Sequence, residues 1–260
     1  MIQLWSATGE MLIQLQGPSE SIEWINWHPR GNVISCGSAD GTGWMWNQKG
    51  ACLNVFSGHD DGLTCGRFTP DGKLLVTASK DETLKIWNPA QGHAIMTVGG
   101  DLFHQAPVLA FDCSSDSSVV FSGAENGSLR LSSVVTGKIL HKYEDHEDSV
   151  ESVVLSSAHP IGVSASLDGT LKMWDMNNGM LRSTVAAHEG GVTRTRMHPE
   201  HPLVYSCGMD NTIKVWDIRT NDCVKNFSGH TKAVLDIAIS KDGKTVLSCS
   251  DDETVRVFRM

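Results

Sequence analysis

The sequence predicts an all-β protein, a β-propeller made of six repeat units, and three observations carry the prediction. Apolar-x-apolar-Trp segments (IQLW, GWMW, LKIW, LKMW and IKVW) recur through the 260 residues and place Trp5, Trp46, Trp87, Trp174 and Trp216 in one register. Two weaker copies, LRLS and VRVF, put Ser132 and Phe258 at the same place, so successive marks lie 41, 41, 45, 42, 42 and 42 residues apart. Each interval contains four short β-rich runs, as in LTCGRF, LLVTAS, TLKIW and AIMTV, broken by turn signals such as PDGK, SKDE and NPAQG. Four strands in about 42 residues is the period of a propeller blade.

Three further residue types keep the register. Twenty-eight positions before the marks stand His59, His104, His146, His188 and His230, with Pro18 as the exception. Ten before stand Thr77, Ser122, Ser164, Ser206 and Ser248, with Cys36 as the exception, and six before stand Asp40, Asp81, Asp168, Asp210 and Asp252, with Asn126 as the exception. These types can form one hydrogen-bonded chain per blade: the third-strand indole N–H reaches a second-strand hydroxyl, the hydroxyl reaches the histidine, and the histidine reaches the turn aspartate. His59, Thr77, Asp81 and Trp87 form one such tetrad, His146, Ser164, Asp168 and Trp174 a second, and His188, Ser206, Asp210 and Trp216 a third. Their repetition marks them as structural, because catalysis needs one convergent site. The combination resembles the WD40 repeat family along the whole chain.

The repeat units run over approximately 11–50, 51–92, 93–137, 138–179, 180–222 and 223–260, within a single propeller domain of residues 1–260. Fourth strands are expected at 11–16, 51–57, 93–98, 138–143, 180–185 and 223–228, which leaves the last unit without one of its own. Residues 11–16 either complete that last blade and close a six-bladed ring without open edges, or follow a surplus third strand at Met1–Trp5. The second arrangement carries the expectation of a truncated chain with earlier blades upstream.

Lysine and arginine total 21 against 30 acidic residues, a net charge of −9. That balance argues against direct nucleic-acid binding and favours a basic partner. No apolar run approaches the roughly 18 residues of a membrane span, so no membrane insertion is expected. The seven cysteines are odd in number and include no CxxC pair, which suggests neither a disulfide framework nor a zinc ribbon and points to a reducing compartment. A cytoplasmic protein, also present in the nucleus, is the expectation. No cofactor or metal is expected: EDHED at 144–148 reads as solvated loop charge, and HPEHP at 198–202 occupies the turn that PDGK fills in another repeat.

Several segments go beyond the general repeat. They are EWINWHPR at 23–30, GSADGTGWMW at 37–46, TCGRFTPDGK at 64–73, VTGK at 135–138, SVESV at 149–153 and GHTKAVLDIAISKD at 229–242. Together they resemble the angio-associated migratory cell protein family, which includes the fungal dedicated chaperone of a large-subunit ribosomal protein. Gly-Pro at 17–18 and Ser132 in the tryptophan position resemble that family's own departures from the repeat. The resemblance implies an eight-bladed propeller, of which this sequence would be a fragment. It also implies capture of a newly made basic ribosomal protein in support of large-subunit assembly.

Charge placement offers an independent reading. In a propeller the loops from fourth to first strand and from second to third strand share one face. Setting aside the tetrad aspartates, the corresponding windows hold 15 acids against Lys80 and Lys232, while the opposite turns carry Arg30, Lys49, Lys73, Lys138, Arg219, Lys241 and Lys244. A basic segment is therefore expected to contact Glu23, Asp60, Asp61, Glu125, Glu144, Asp145, Glu147, Asp148, Glu151 and Asp251, with Trp24 as an aromatic contact or a core residue. Trp27 shares the register of Phe68 and is expected to pack between blades, and Cys36, Cys207 and Cys249 are expected as small core residues in second strands. No nucleophile elbow, phosphate loop or zinc-binding helix appears, so a non-catalytic binding protein is expected. A general WD40 scaffold or adaptor in signalling or cell migration is the alternative.

Overall fold

A computed structural model describes residues 1–260, with 25 strands and no helix. The first two strands, β1 (Ile2–Trp5) and β2 (Met11–Leu15), pair with each other, Ile2 opposite Leu15. The next four, β3 (Ile22–Trp27), β4 (Val33–Ser38), β5 (Gly43–Asn47) and β6 (Cys52–Phe56), form an antiparallel meander. The same order repeats in β7 (Leu63–Phe68), β8 (Leu75–Ser79), β9 (Leu84–Asn88) and β10 (His93–Val98), then in β11 (Val108–Cys113), β12 (Val119–Ala124), β13 (Leu129–Ser133) and β14 (Ile139–Tyr143). Two more follow: β15 (Val150–Leu155), β16 (Ile161–Ser166), β17 (Thr170–Asp175) and β18 (Met180–Ala186), then β19 (Val192–Met197), β20 (Leu203–Gly208), β21 (Ile213–Asp217) and β22 (Cys223–Phe227). The last sheet has three strands, β23 (Val234–Ile239), β24 (Thr245–Ser250) and β25 (Val255–Arg259).

Each repeat unit delimited in the sequence thus opens with the outer strand of one sheet and continues with the three inner strands of the next. Of the two arrangements open to residues 11–16, the structure takes the pairing with Met1–Trp5, because β2 is bonded to β1 alone. The chain divides into two compact units, Met1–Val119 with Ser132–Ile139, and Val120–Leu131 with Leu140–Met260.

Burial follows strand position within a sheet. Second strands flanked by sheets on both faces are covered, so β8 (LVTAS) and β16 (IGVSAS) are buried throughout and consist of apolar and small residues, while β24 of the last sheet exposes Leu247. Fourth strands form the outer edge and expose most of their length, as in β10. Sheets pack face to face within each unit. In the first unit Phe68 and Leu75 pack on Met45 and Val33 of the preceding sheet. In the second, Val234, Ile237 and Val246 cover Tyr205, Ile213 and Val215. Each such side chain contributes about 1.5–3 kcal/mol on full burial.

Trp27 corrects the expectation from its register. Phe68 is 3% exposed, whereas Trp27 is 53% exposed. Phe68 is covered by Val33 of a second strand, and the two-stranded sheet before Trp27 supplies no second strand. Cys36 and Cys207 are fully buried and burial pushes both thiols up to about 12, while Cys249 is half-buried. The HPEHP segment forms a turn: His198 Nδ1 accepts the backbone N–H groups of Glu200 and His201, both at 3.0 Å.

Candidate functional site

The loops that hold the candidate acids are shaped by the tetrads. In the first unit the His59 Nδ1–H donates to Asp81 at 2.7 Å, His59 Nε2 accepts the Thr77 hydroxyl at 2.8 Å, and the Trp87 indole N–H donates to that hydroxyl oxygen at 2.8 Å. In the second unit His146 lies 2.7 Å from both Asp168 and Ser164, and Trp174 donates to Ser164 at 2.8 Å. His188, Asp210, Ser206 and Trp216 repeat the chain with contacts of 2.7 to 2.9 Å. His230 bonds Asp252 and Ser248 in the last sheet, where Phe258 stands in the tryptophan place. The ionised aspartate can only accept, so the imidazole keeps its proton on Nδ1 and Nε2 accepts the hydroxyl proton, while the indole N–H, where present, donates to the hydroxyl oxygen.

The aspartate at the end of each chain also closes a turn. Asp168 accepts the N–H and hydroxyl of Thr170 at 2.8 and 2.7 Å, and the Glu147 N–H at 3.2 Å. Burial opposes ionisation of these carboxyls, but hydrogen bonds from threonine and histidine outweigh it. Asp210 is brought down to about 2, and Asp81 and Asp168 also lie below the usual carboxylate range. His146 and His188 shift downward because burial outweighs their aspartate partners, which keeps both imidazoles neutral at neutral pH. The hydrogen bonds of these groups hold the loops. No cluster of three His, Cys, Asp or Glu side chains is placed to hold a metal.

In the second unit three segments converge. The loop carrying Glu144, Asp145, Glu147 and Asp148 is tied to the 166–170 turn by the Asp168 bonds and by the Ser166 hydroxyl, which donates to the Asp148 carbonyl at 2.9 Å. On its other side lies the turn after Glu125, where a Cβ at Gly127 would meet the His146 carbonyl at 2.5 Å. Glu125, Glu144, Asp145, Glu147 and Asp148 are exposed and Glu151 is half-buried, its carboxylate accepting the Ser149 hydroxyl at 2.6 Å. Glu144 is also paired at 2.7 Å with Arg130, a 6% exposed guanidinium on β13. Sequence spacing gave no sign of that pair. Asp251 is exposed on a separate turn, its N–H bonded to the Ala233 carbonyl.

In the first unit Asp60 and Asp61 are exposed on the loop before β7, held by the Asp60 N–H on Asp81 and by the Ser79 hydroxyl on the Asp61 carbonyl. Glu23 is exposed on β3 and accepts the Ser21 hydroxyl at 2.6 Å. Trp24 is half-buried between sheets: a Cβ at Gly37 of β4 or at Gly66 of β7 would lie 2.1 Å from its indole. Two glycines therefore make the slot that the ring fills, and its N–H is buried there without a partner. On the turns at the other end of the strands, Arg30, Lys49, Lys73, Lys138, Arg219, Lys241 and Lys244 are all exposed.

Antiparallel four-stranded sheets pinned by His–hydroxyl–Asp–Trp chains define a WD-repeat β-propeller protein, a class whose members are in general non-enzymatic binding scaffolds. The chain belongs to the family described as the IFT122 first beta-propeller, whose model matches residues 1–259. The human angio-associated migratory cell protein is 33% identical over 155 residues, 54% of this chain and 36% of that relative, so the match spans little more than a third of its length. Among solved structures, Sqt1 of Chaetomium thermophilum bound to the N-terminus of ribosomal protein L10 matches with a TM-score of 0.88 at 24% identity, covering 93% of this chain and 72% of Sqt1. The computationally designed Ika8 protein matches with a TM-score of 0.87 at 28% identity, over 99% of this chain and 77% of that one.

Proposed function

We propose that this protein is a non-catalytic binding protein whose acidic loops capture a Lys/Arg-rich segment of a newly made large-subunit ribosomal protein. The observation that carries the reading is the convergence in the second unit of the Glu125 turn, the 144–148 loop and Glu151, five of whose six carboxylates are exposed. The tetrad hydrogen bonds fix the loop backbone before a partner arrives, so little ordering entropy is lost on binding. In the first unit Glu23, Asp60 and Asp61 are the proposed contacts, with Trp24 contributing its remaining exposed surface. Asp251 is proposed as a further contact of the second unit.

The likeness to Sqt1, itself bound to the N-terminus of ribosomal protein L10, supports the class of client. The cytoplasm is the proposed place of capture. The test is a pull-down of tagged protein from a translating extract. One large-subunit ribosomal protein dominating the bound fraction is the expected result; a bound fraction rich in receptor or cytoskeletal proteins and free of ribosomal proteins would overturn it.

A further inference from the structure

Away from the acidic loops, the second unit contains a cavity of about 480 Å³ between the turn before β16, strand β18 and the turn after β21. Ile161 and Ile218, each 5% exposed, line it together with Pro160 and give it an apolar floor. Its polar lining comes from Arg182, Ser183, Arg219 and Asn221, with His159 beside them.

Two of the acceptors near this lining, Asn221 Oδ1 and the Asp217 carboxylate, are already engaged. The Ser183 hydroxyl donates to Asn221 Oδ1 at 2.8 Å, so that oxygen is engaged. Asn221 has a left-handed backbone, φ 65°, held by its N–H on the Asp217 carbonyl at 2.8 Å. Arg219 grips both oxygens of Asp217 through Nε and Nη2, at 3.0 and 2.6 Å, which leaves Nη1 outside the fork. Arg182 is 3.9 Å from Asp175 Oδ2, beyond hydrogen-bond reach, while Asp175 Oδ1 accepts the Asn177 N–H at 2.9 Å. Donors of Arg182, Arg219 and Asn221 thus remain open above an apolar floor.

The cavity also adjoins an open sheet edge. β18 is the outer strand of its sheet, so its outward N–H and C=O groups face no neighbouring strand, and Met180 and Leu181 on it are 64% and 40% exposed. An extended peptide can add to such an edge through its main chain. We propose that this site binds an acidic peptide segment of a partner protein: the segment lies along β18 and places an Asp or Glu carboxylate beside Arg182, Arg219 and Asn221 at the rim of the cavity. A protein of net charge −9 would otherwise repel such a ligand, so binding has to come from this local set of donors. The site is independent of the acidic loops, and one chain can hold a basic and an acidic segment together.

The test titrates the whole chain into a fluorescently labelled nine-residue peptide of alternating leucine and glutamate, and into its glutamine counterpart. Saturable binding of the glutamate peptide is expected, with the glutamine peptide weaker by about tenfold or more. Arg182→Glu is expected to weaken the glutamate peptide by a similar factor without moving the melting temperature, since that side chain is half exposed. Lys241→Glu with Lys244→Glu, basic residues of another turn, is expected to leave the affinity unchanged. Equal affinity for the two peptides, wild-type affinity in Arg182→Glu, or equal losses in the two charge-reversed proteins would each overturn the proposal.

Discussion

The His28 imidazole donates from Nε2 to the carbonyl of Gly72 at 2.9 Å, joining the turn after β3 to the turn after β7. His28 Nδ1 accepts the Arg30 N–H at 3.1 Å, which fixes the tautomer and makes the ring a brace between adjacent sheets of the first unit. Gly72 has φ +74°, and a Cβ there would lie 2.6 Å from His28 Nε2. The second unit repeats the contact, with Gly243 at φ +67° against His198.

Gly72→Ala is therefore expected to destabilise the protein by about 1–3 kcal/mol, from left-handed backbone strain together with displacement of the histidine. His28→Ala alone should cost about 1 kcal/mol for the lost hydrogen bond. Denaturant midpoints of the two variants check this, and a Gly72→Ala midpoint at or above wild type would contradict it.

Asp168→Ala removes the acceptor of the His146, Thr170 and Glu147 donors together. A loss of about 1–3 kcal/mol in stability is expected, read as a lower melting temperature. Loosening of the 144–148 loop should weaken basic-peptide binding as well, so weaker binding at an unchanged melting temperature would contradict a structural role.

Phe258 shows that the histidine, hydroxyl and aspartate contacts persist without an indole donor. Trp174→Phe should accordingly yield a folded protein, destabilised by about 1–2 kcal/mol through loss of the bond to Ser164 and some packing. Far-ultraviolet circular dichroism and a melting curve test both halves of this expectation.

Acid should destabilise the fold in two stages. His146 and His188 have folded pKa values below their ordinary value, so the unfolded chain takes up protons first and stability declines once pH falls below about 6.5. Asp81, Asp168 and Asp210 are likewise depressed, so their contribution, complete above about pH 4, is lost as pH falls toward the value of about 2 held by Asp210. Denaturant midpoints measured from pH 8 downward should fall monotonically, and a rise between pH 6.5 and 5 would contradict the neutral-histidine assignment.

Reversing Asp145, Glu147 and Asp148 to lysine should weaken capture of a basic peptide mainly by slowing association, with the loss shrinking as salt is raised, because steering is screened beyond about 8 Å at physiological ionic strength. Equal weakening from Lys241→Glu with Lys244→Glu, or a wild-type affinity insensitive to salt, would move the contact away from these loops.

The strands, their order within each sheet and the pinning chains could be read from the sequence because each is local and repeated. A 41 to 45 residue period with His, hydroxyl, Asp and Trp in register leaves one way to satisfy those polar groups inside the repeats that carry all four, whereas Trp46, whose repeat has Pro18 and Cys36 instead, donates to the Gln16 carbonyl. Packing between neighbouring sheets was hidden, since it depends on which side chain meets which backbone across about 42 residues. EWINWHPR and PDGK both stood out in the sequence, but only packing brings His28 onto Gly72. Trp27 and Phe68 share a register and differ in burial because one faces a second strand and the other does not. Trp24 has its slot only where Gly37 and Gly66 leave room for the ring. Glu144 counted as one more loop acid until the fold set Arg130 beneath it: a buried guanidinium recruits the nearest carboxylate, and which one is nearest is decided by tertiary structure.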